Sequence, residues 1–324
     1  MENHIFLAGA ARVDITPPMG TILGVDMFPH YARFIHDPLH VKSLVLSDGW
    51  LIIAIVIVDT CIMGTDFMDD IKGRIQKETG INPENVLLAS NHDHGAGNVV
   101  GLLGGAVDIE YRNKIPDLVV KSVILAKERL RPAKIASGSV DVPDYVLSRR
   151  YFMKEGYVAK NPVTGKTDMV KTNPIGAEHL IEGPSGTSDP GVGFLAVKGI
   201  DEQWISILAN YSLHYVGDWH EDSVTADYFG EFANQIRENL NAGDDFTGIM
   251  SNGTSGDINI WDFMNPDRFS KEQFAKSKLI GGVLAQKVFE ELSKVKWQVN
   301  PSLSAQFSEL KLNVRKPSPV ELEA

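Results

Sequence analysis

Two histidines, His92 and His94, follow a short apolar run, Val86-Leu87-Leu88-Ala89-Ser90, bounded by Asn85 and by a loop holding Gly95, Gly97, Gly101, Gly104 and Gly105. The run reads as a buried strand. In an extended chain residues two apart point to one side, so the two imidazoles can converge while Asp93 faces away. A metal ion or a hydrolytic site would use that geometry. A solvated turn without a ligand would show the same pair, so the reading depends on partners elsewhere. One partner is His214, delivered by a hairpin of Val192 to Ile200 and Trp204 to Leu213 with a turn at Asp201-Glu202. Three histidines at the carboxyl ends of strands, where open sheets build their sites, point to zinc with an open position for water. Asp59, at the end of another strand, is a neighbour of the site or a cap for the next segment. Cys61 reads as a small buried hydrophobe rather than a nucleophile.

The elements that must position these groups alternate. Leu39 to Leu46 and Trp50 to Val58, split by Ser47-Asp48-Gly49, form a hairpin. Thr65 caps a helix with Phe67, Ile71 and Ile75 on one face and Gly80 as its stop. A second helix runs from Pro116, at its first turn, to Leu130, and Ala133 to Val140 is a strand. Residues 154–190 show neither period and read as a long surface excursion of the kind that forms lids or substrate walls. Asp227-Tyr228 open a helix with Phe229, Phe232, Ala233, Ile236 and Leu240 on one face. Phe246 to Met250 is a strand, ending in Ser251-Asn252-Gly253-Thr254-Ser255-Gly256-Asp257-Ile258-Asn259, whose backbone N–H groups and short side chains can hold a carbonyl. A helix over 270–295 and a strand near 304–314 follow. The pattern predicts a mixed α+β layered sandwich, β-sheets flanked by helices, in one domain over 1–324.

A formal charge of −11 over 324 residues argues against a nucleic-acid partner. The longest apolar run, Trp50 to Val58, is about half of what a bilayer needs, so no transmembrane segment is expected. The start, Met1-Glu2-Asn3-His4, has no basic region followed by a long apolar one, which places the chain in the cytoplasm unless a signal peptide has been removed. A single cysteine excludes an internal disulfide. No nucleophile elbow, phosphate loop or dinucleotide fingerprint is present. Oligomeric state is not legible at this stage.

Taken in order, Gly9-Ala10-Ala11-Arg12-Val13-Asp14-Ile15-Thr16-Pro17-Pro18, Ser90-Asn91-His92-Asp93-His94-Gly95, Ser148-Arg149-Arg150, Asp189-Pro190-Gly191-Val192-Gly193, Asn210-Tyr211-Ser212-Leu213-His214, Thr225-Ala226-Asp227-Tyr228 and Asn252 to Asn259 resemble the catalytic N-terminal domain of the neutral/alkaline, non-lysosomal ceramidases. That resemblance implies His92 and His214 as zinc ligands and His94 as an acid–base residue beside the metal. Arg149 would hold a polar group of the substrate or the developing oxyanion, with Asp257 and Asn259 in the catalytic set. Gly95, Tyr228 and Gly256, inside the same motifs, are expected to line the substrate cleft. The implied reaction is hydrolysis of an N-acyl amide, ceramide to sphingosine and fatty acid. A zinc hydrolase for another amide or ester, and a non-catalytic ligand-binding domain of the same fold, are the alternatives.

Two departures matter. Asn259 occupies the place of a serine proposed as a nucleophile in the best-known ceramidases. An amide cannot form the covalent intermediate, which leaves water activated by zinc as the attacker and Asn259 as an orienting or oxyanion group. The family's further Glu and Tyr ligands lie beyond this chain, and Ser318-Pro319-Val320-Glu321 starts a capped helix close to the last residue. The expectation is therefore a chain truncated from a longer protein, binding zinc weakly by itself unless His94 turns inward as a third ligand.

Overall fold

Alternation with a period of two lets one strand serve two cores, and β1 (Leu7–Asp14) does so. Its Ala8 and Ala10 join one buried cluster while Ala11 and Val13 join another. The computed structural model describes residues 5–24, 28–102, 106–157 and 165–323. Seven further strands are β2 (His40–Ser47), β3 (Ile52–Val58), β4 (Val86–Ser90), β5 (Arg131–Asp141), β6 (Gly191–Gly199), β7 (Trp204–Tyr211) and β8 (Thr247–Asn252). With β1 they form one mixed sheet in the order β8-β7-β6-β5-β1-β2-β3-β4. The two hairpins read from the sequence are both antiparallel pairs, β2 with β3 and β6 with β7. The edge pairs β3–β4 and β7–β8 are parallel.

The seam between β5 and β1 is thin, with Leu7 opposite Pro132 and Ala8 opposite Arg131. There the sheet turns on itself, and Ala8, Ala10, Leu44, Leu46 and Ile57 meet Ala133, Val197, Ile205 and Ile249 in the interior between its halves. Helices cover the outer faces. α1 (Thr65–Thr79) and α2 (Ile109–Glu128) bury Phe67, Ile71, Ile115 and Val119 against Val41, Val45, Val56 and Val58. α3 (Asp227–Asn239) and α4 (Ala275–Glu291) bury Phe229, Phe232, Ile236, Ile280 and Leu284 against Phe194, Ala196, Ile207 and Ala209. Each such side chain contributes about 1.5–3 kcal/mol of transfer free energy, which is what fixes the layers. The result is the mixed α+β sandwich expected from the alternation.

Several boundaries differ from the sequence reading, each for a local reason. α1 takes Gly64 as its N-cap and Thr65 as its first helical residue, while Gly80 (φ 75°) closes it by donating its N–H to Gln76 O at 2.8 Å. α2 begins seven residues before Pro116, because Asp108 accepts from Tyr111 N at 3.0 Å and supplies the start; Pro116 is an interior residue. α4 begins at Ala275, after Phe274 at φ 62°, and its first amides are met from another loop: Asp218 Oδ2 accepts from Lys276 N at 2.6 Å and Ser277 N at 3.2 Å. Of the region 154–190, residues 158–164 lie outside the described residues, and the remainder holds two short strands, Val170–Thr172 and Ile181–Pro184, which flank Arg150–Met153 in a three-stranded sheet. Residues 304–314 form no ladder, and Leu310, Leu312 and Val314 are exposed there. Pro319–Glu323 is a helical turn, with Glu321 N donating to Ser318 Oγ and Ser318 N to Glu321 Oε2 as its capping sequence requires. Among the described residues no helix is long and apolar enough to cross a membrane.

Candidate functional site

β3 and β4 lie side by side and parallel, so the segments that leave their carboxyl ends start together. Asp59 follows β3 and is fully buried. Its carboxylate accepts from Lys42 Nζ at 2.9 Å to each oxygen, from His40 N at 2.8 Å and from Asn91 Nδ2 at 2.8 Å. Asn91 is thereby tied down one residue before His92, which takes a left-handed backbone (φ 67°). Thr60 O accepts from both His92 N (3.1 Å) and Asp93 N (3.3 Å), holding the turn. The two histidines are therefore brought together by a tight turn beyond the strand rather than by strand alternation. Asp93 is fully buried, and burial with Asp227 and Asp59 nearby holds its carboxyl well above the usual range.

His214 arrives from the end of β7, 122 positions along, with its Nε2 at 3.1 Å from that of His92. His94 Nε2 stands 3.3 Å from the same atom. The imidazoles of His214 and His94 thus each turn a nitrogen toward Nε2 of His92. The opposite edges of two rings are committed: His92 Nδ1 lies 3.0 Å from Cys61 O, and His214 Nδ1 lies 2.9 Å from Ser255 O. A carbonyl can only accept, so these partners assign the proton of each ring to Nδ1 and leave both Nε2 atoms bare. Two bare lone pairs at 3.1 Å repel unless a Lewis acid or a proton stands between them.

Burial dominates the electrostatics. It pulls His94 down to about 3 and His214 down to about 4, with the neighbouring imidazoles and the Arg149 cation adding to the effect. His92 is lowered for the same first reason, against the opposing pull of the Cys61 carbonyl. All three rings are neutral at pH 7, the state in which imidazole binds a metal ion. Cys61, His92 and His94 also offer ligand atoms within 4.8 Å of one another, a group that can hold a metal ion. The sulfur, however, is 3.7 Å from Nδ1 of His92, the edge already turned to a carbonyl, and burial pushes the thiol up to about 12. His92 and His214, each with its Nε2 left bare, are better disposed as donors than the Cys61 thiol, because neither must first lose a proton.

The remaining expected residues divide. Arg149 donates its backbone N–H to Asp257 O at 2.8 Å, and its side-chain Nε is buried with no hydrogen-bond partner among the described residues. Its positive charge is felt by all three histidines. Asn259 Nδ2 donates to Asn173 Oδ1 at 2.7 Å while its Oδ1 accepts from Trp261 N at 3.0 Å. Asn173 N in turn donates to Arg149 O at 2.7 Å. Asn259 therefore braces the segment carrying Arg149. The Asp257 carboxylate is exposed and pairs with Arg150 at 3.1 Å. Gly256 is exposed with open space at its α-carbon, compatible with a cleft wall.

Two cleft assignments need correcting. Gly95 is buried, and a β-carbon there would stand 2.7 Å from Thr225 Cγ2 and O; the glycine serves a close backbone approach, not a substrate. Tyr228 is 0% exposed and its hydroxyl donates to Leu213 O at 3.0 Å, so it supports the His214 turn from beneath. In the same loop Gly97 packs on the Tyr111 ring, and Gly104 and Gly105 lie outside the described residues. The sequence reading missed Tyr215, whose ring stacks on His94 at 3.8 Å between centroids and 17° between planes. Its position next to His214 was the available signal. It also missed Asp227, buried in the Thr225–Tyr228 motif, whose Oδ2 accepts from Val216 N at 2.8 Å and fixes the turn after Tyr215.

Comparison with protein-family models gives no match, and no curated protein matches the chain. Solved structures do. One is described as a ceramidase complexed with C2, which aligns over 88% of this chain at 16% identity and a TM-score of 0.68. Another is the crystal structure of neutral ceramidase from Pseudomonas aeruginosa, which aligns over 89% at 15% identity and a TM-score of 0.68. The chain spans less than half of those proteins, 43% and 45% of their lengths. At such identities the likeness is one of architecture, and the chain carries the fold of the neutral ceramidases.

Proposed function

We propose that this chain is one catalytic domain of a zinc-dependent hydrolase that cleaves an N-acyl amide, a ceramide-like lipid giving a sphingoid base and a fatty acid. The observation that carries the reading is the pair of bare Nε2 atoms of His92 and His214 at 3.1 Å, with that of His94 at 3.3 Å from the former. Two nitrogens held about 2.05 Å from one tetrahedral ion stand about 3.3 Å apart, the separation at which His214 and His94 each stand from His92. His92, His214 and His94 would hold it, with His94 as the third nitrogen rather than an acid–base group. A bound zinc ion lowers the pKa of water to about 7 and polarises a carbonyl. The chain's own groups do the rest. The Cys61 and Ser255 carbonyls hold the rings in the metal-binding tautomer, and Tyr215 fixes the plane of His94. Arg149, with Nε buried and uncommitted, offers a charged donor to the oxygen that gains charge when the amide carbonyl is attacked. Similarity of fold to ceramidases supports lipid amide as the substrate class.

The test is zinc content and hydrolysis of N-acyl sphingosine, followed by fatty-acid release. The expected result is about one zinc per chain, activity lost on chelation and restored by zinc, and loss of both metal and activity in His92→Ala and His214→Ala. Full activity in either variant would overturn the assignment.

A further inference from the structure

The sequence motif at 9–18 supplies none of the three histidines, and its Arg12 serves another place. Ala8, Ala10 and Arg12 share one face of β1 by strand alternation, and the two alanines lie in the apolar interior between the halves of the sheet. Arg12 stands opposite Lys42 of β2, as Ala10 stands opposite Leu44, so two cations succeed the apolar pairs where that interior ends. Beside them lies a cavity of about 230 Å³. Its other wall is α3 and β8, which contribute Asn234, Arg237 and Gly248. A β-carbon at Gly248 would stand 2.9 Å from Ala233 Cα, so the glycine lets α3 come down close on β8 and form that wall.

Three cations line the cavity, Arg12, Lys42 and Arg237, against one carboxyl group, Asp37. Lys42, its side chain only 4% exposed, gives two of its three N–H bonds to Asp59. Arg237 pairs with Asp244, and the neighbouring Arg129 pairs with Asp245 at 3.2 Å. Arg12 is left over: among the described residues it makes no ion pair, and its one hydrogen bond runs from Nη1 to Phe246 O at 2.9 Å. Burial and the Arg237 cation hold its guanidinium below the usual range, against the pull of Asp244 and Asp245, which already serve other arginines. Asp37 offers little negative charge in return, because burial raises its carboxyl, and its Oδ2 accepts from Ala226 N at 2.9 Å. His40, on the same wall, is lowered by burial and then by Lys42, and is neutral at pH 7. Two guanidinium forks, an ammonium and an amide N–H₂ from four separate elements therefore converge on one space. Forked donors match the spacing of oxygens on a tetrahedral oxyanion.

We propose that this cavity binds a phosphoryl oxyanion, free or carried by a small ester, through Arg12, Arg237, Lys42 and Asn234. The inference does not rest on the hydrolase reading. The buried Lys42–Asp59 pair stands between the cavity and Asn91, the residue that leads into His92.

Calorimetric titration of the whole chain with inorganic phosphate, at pH 7 and constant ionic strength, should show one saturable site, with chloride and acetate bound about tenfold or more weakly. Arg12→Gln and Arg237→Gln should each weaken phosphate by about tenfold or more, the usual worth of one hydrogen bond to a charged group. Lys311→Gln, an equal charge change at an exposed residue outside the cavity, should leave the affinity as it is. Urea midpoints without phosphate report whether the variants fold. Arg12→Lys keeps the charge and loses the fork, and should weaken phosphate by about threefold or more even if the glutamine variant does not fold. Glycerol 3-phosphate separates the two sources: tighter binding than phosphate identifies an ester-borne group, and weaker binding the free ion. In His92→Ala phosphate binding should persist; its disappearance there would assign the ion to the metal centre and overturn the proposal. Phosphate bound no more tightly than chloride, or affinity unchanged in both arginine variants, would overturn it as well.

Discussion

Replacing Asp59 by Asn tests how the fold holds the site. The carboxylate is 0% exposed and Lys42 only 4%, and its two oxygens take four hydrogen bonds, two from the ammonium and one each from His40 N and Asn91. The amide has nearly the same shape but no charge, and it turns an N–H₂ toward donors. Lys42 is then a buried cation without a counter-charge, a change that costs about 3–5 kcal/mol. Against a total stability of about 5–15 kcal/mol, this would be a large fraction. Urea unfolding of metal-free protein measures it. Removing both charges, Asp59→Leu with Lys42→Met, should restore most of the loss, since a well-packed apolar pair often replaces a buried ion pair at little cost. Zinc affinity should not recover, because Asn91 still lacks its anchor and the left-handed backbone at His92 costs about 1–2 kcal/mol when nothing else enforces it. A loss under about 1 kcal/mol in Asp59→Asn, or recovery of zinc affinity in the double variant, would refute the coupling.

Zinc titration of His94→Ala by calorimetry should show affinity reduced by about 100-fold or more, as loss of one of three ligands requires; unchanged affinity with lost turnover would return His94 to acid–base work. The Cys61 thiol, pushed up to about 12 by burial, should resist alkylation at pH 8 until the chain unfolds, and rapid labelling of native protein would contradict its buried setting. Asp227 is raised to about 7, first by burial and against the pull of its N–H donors. An acid whose folded value exceeds its unfolded one contributes stability that is fully present below about pH 4 and lost as pH rises to about 7, so the stability difference between wild type and Asp227→Asn should shift across that window and be flat above it. Gly97→Ala would place a β-carbon 2.3 Å from Tyr111 Cε1 and should destabilise by about 1–3 kcal/mol; a neutral effect would mean the loop yields freely.

The layers were legible because hydrophobic period is local: Phe67, Ile71 and Ile75, and Phe229, Phe232 and Ile236, can be read as helix faces without knowing what each face meets. The histidines were legible as candidates because His92, His94 and His214 follow apolar runs, but the turn that brings His92 and His94 together was not. Helix starts were less legible. Asp108 begins α2 through one side-chain bond that outweighs the usual place for Pro116, and Asp218 supplies the start of α4 from 58 positions away. A long-range cap leaves no local pattern. The 304–314 segment has strand alternation, Leu310, Leu312 and Val314, yet pairs with nothing described. Alternation specifies which face would be buried, and pairing needs a neighbour.

Asn259 shows where residue type misleads about role. At a position where the sequence resemblance expects a serine, an amide reads as a direct hydrogen-bond donor to the oxyanion. Its oxygen is instead held by Trp261 N and one N–H by Asn173, whose own N–H donates to Arg149 O at 2.7 Å. A group with both ends engaged cannot reorient toward a developing charge without breaking bonds, each worth about 0.5–1.5 kcal/mol. The free charged donor is Arg149, with Nε buried and unpartnered among the described residues. In the proposed hydrolysis the electrostatic work that the motif would give Asn259 would fall to Arg149, and Asn259 would steady the segment that carries it.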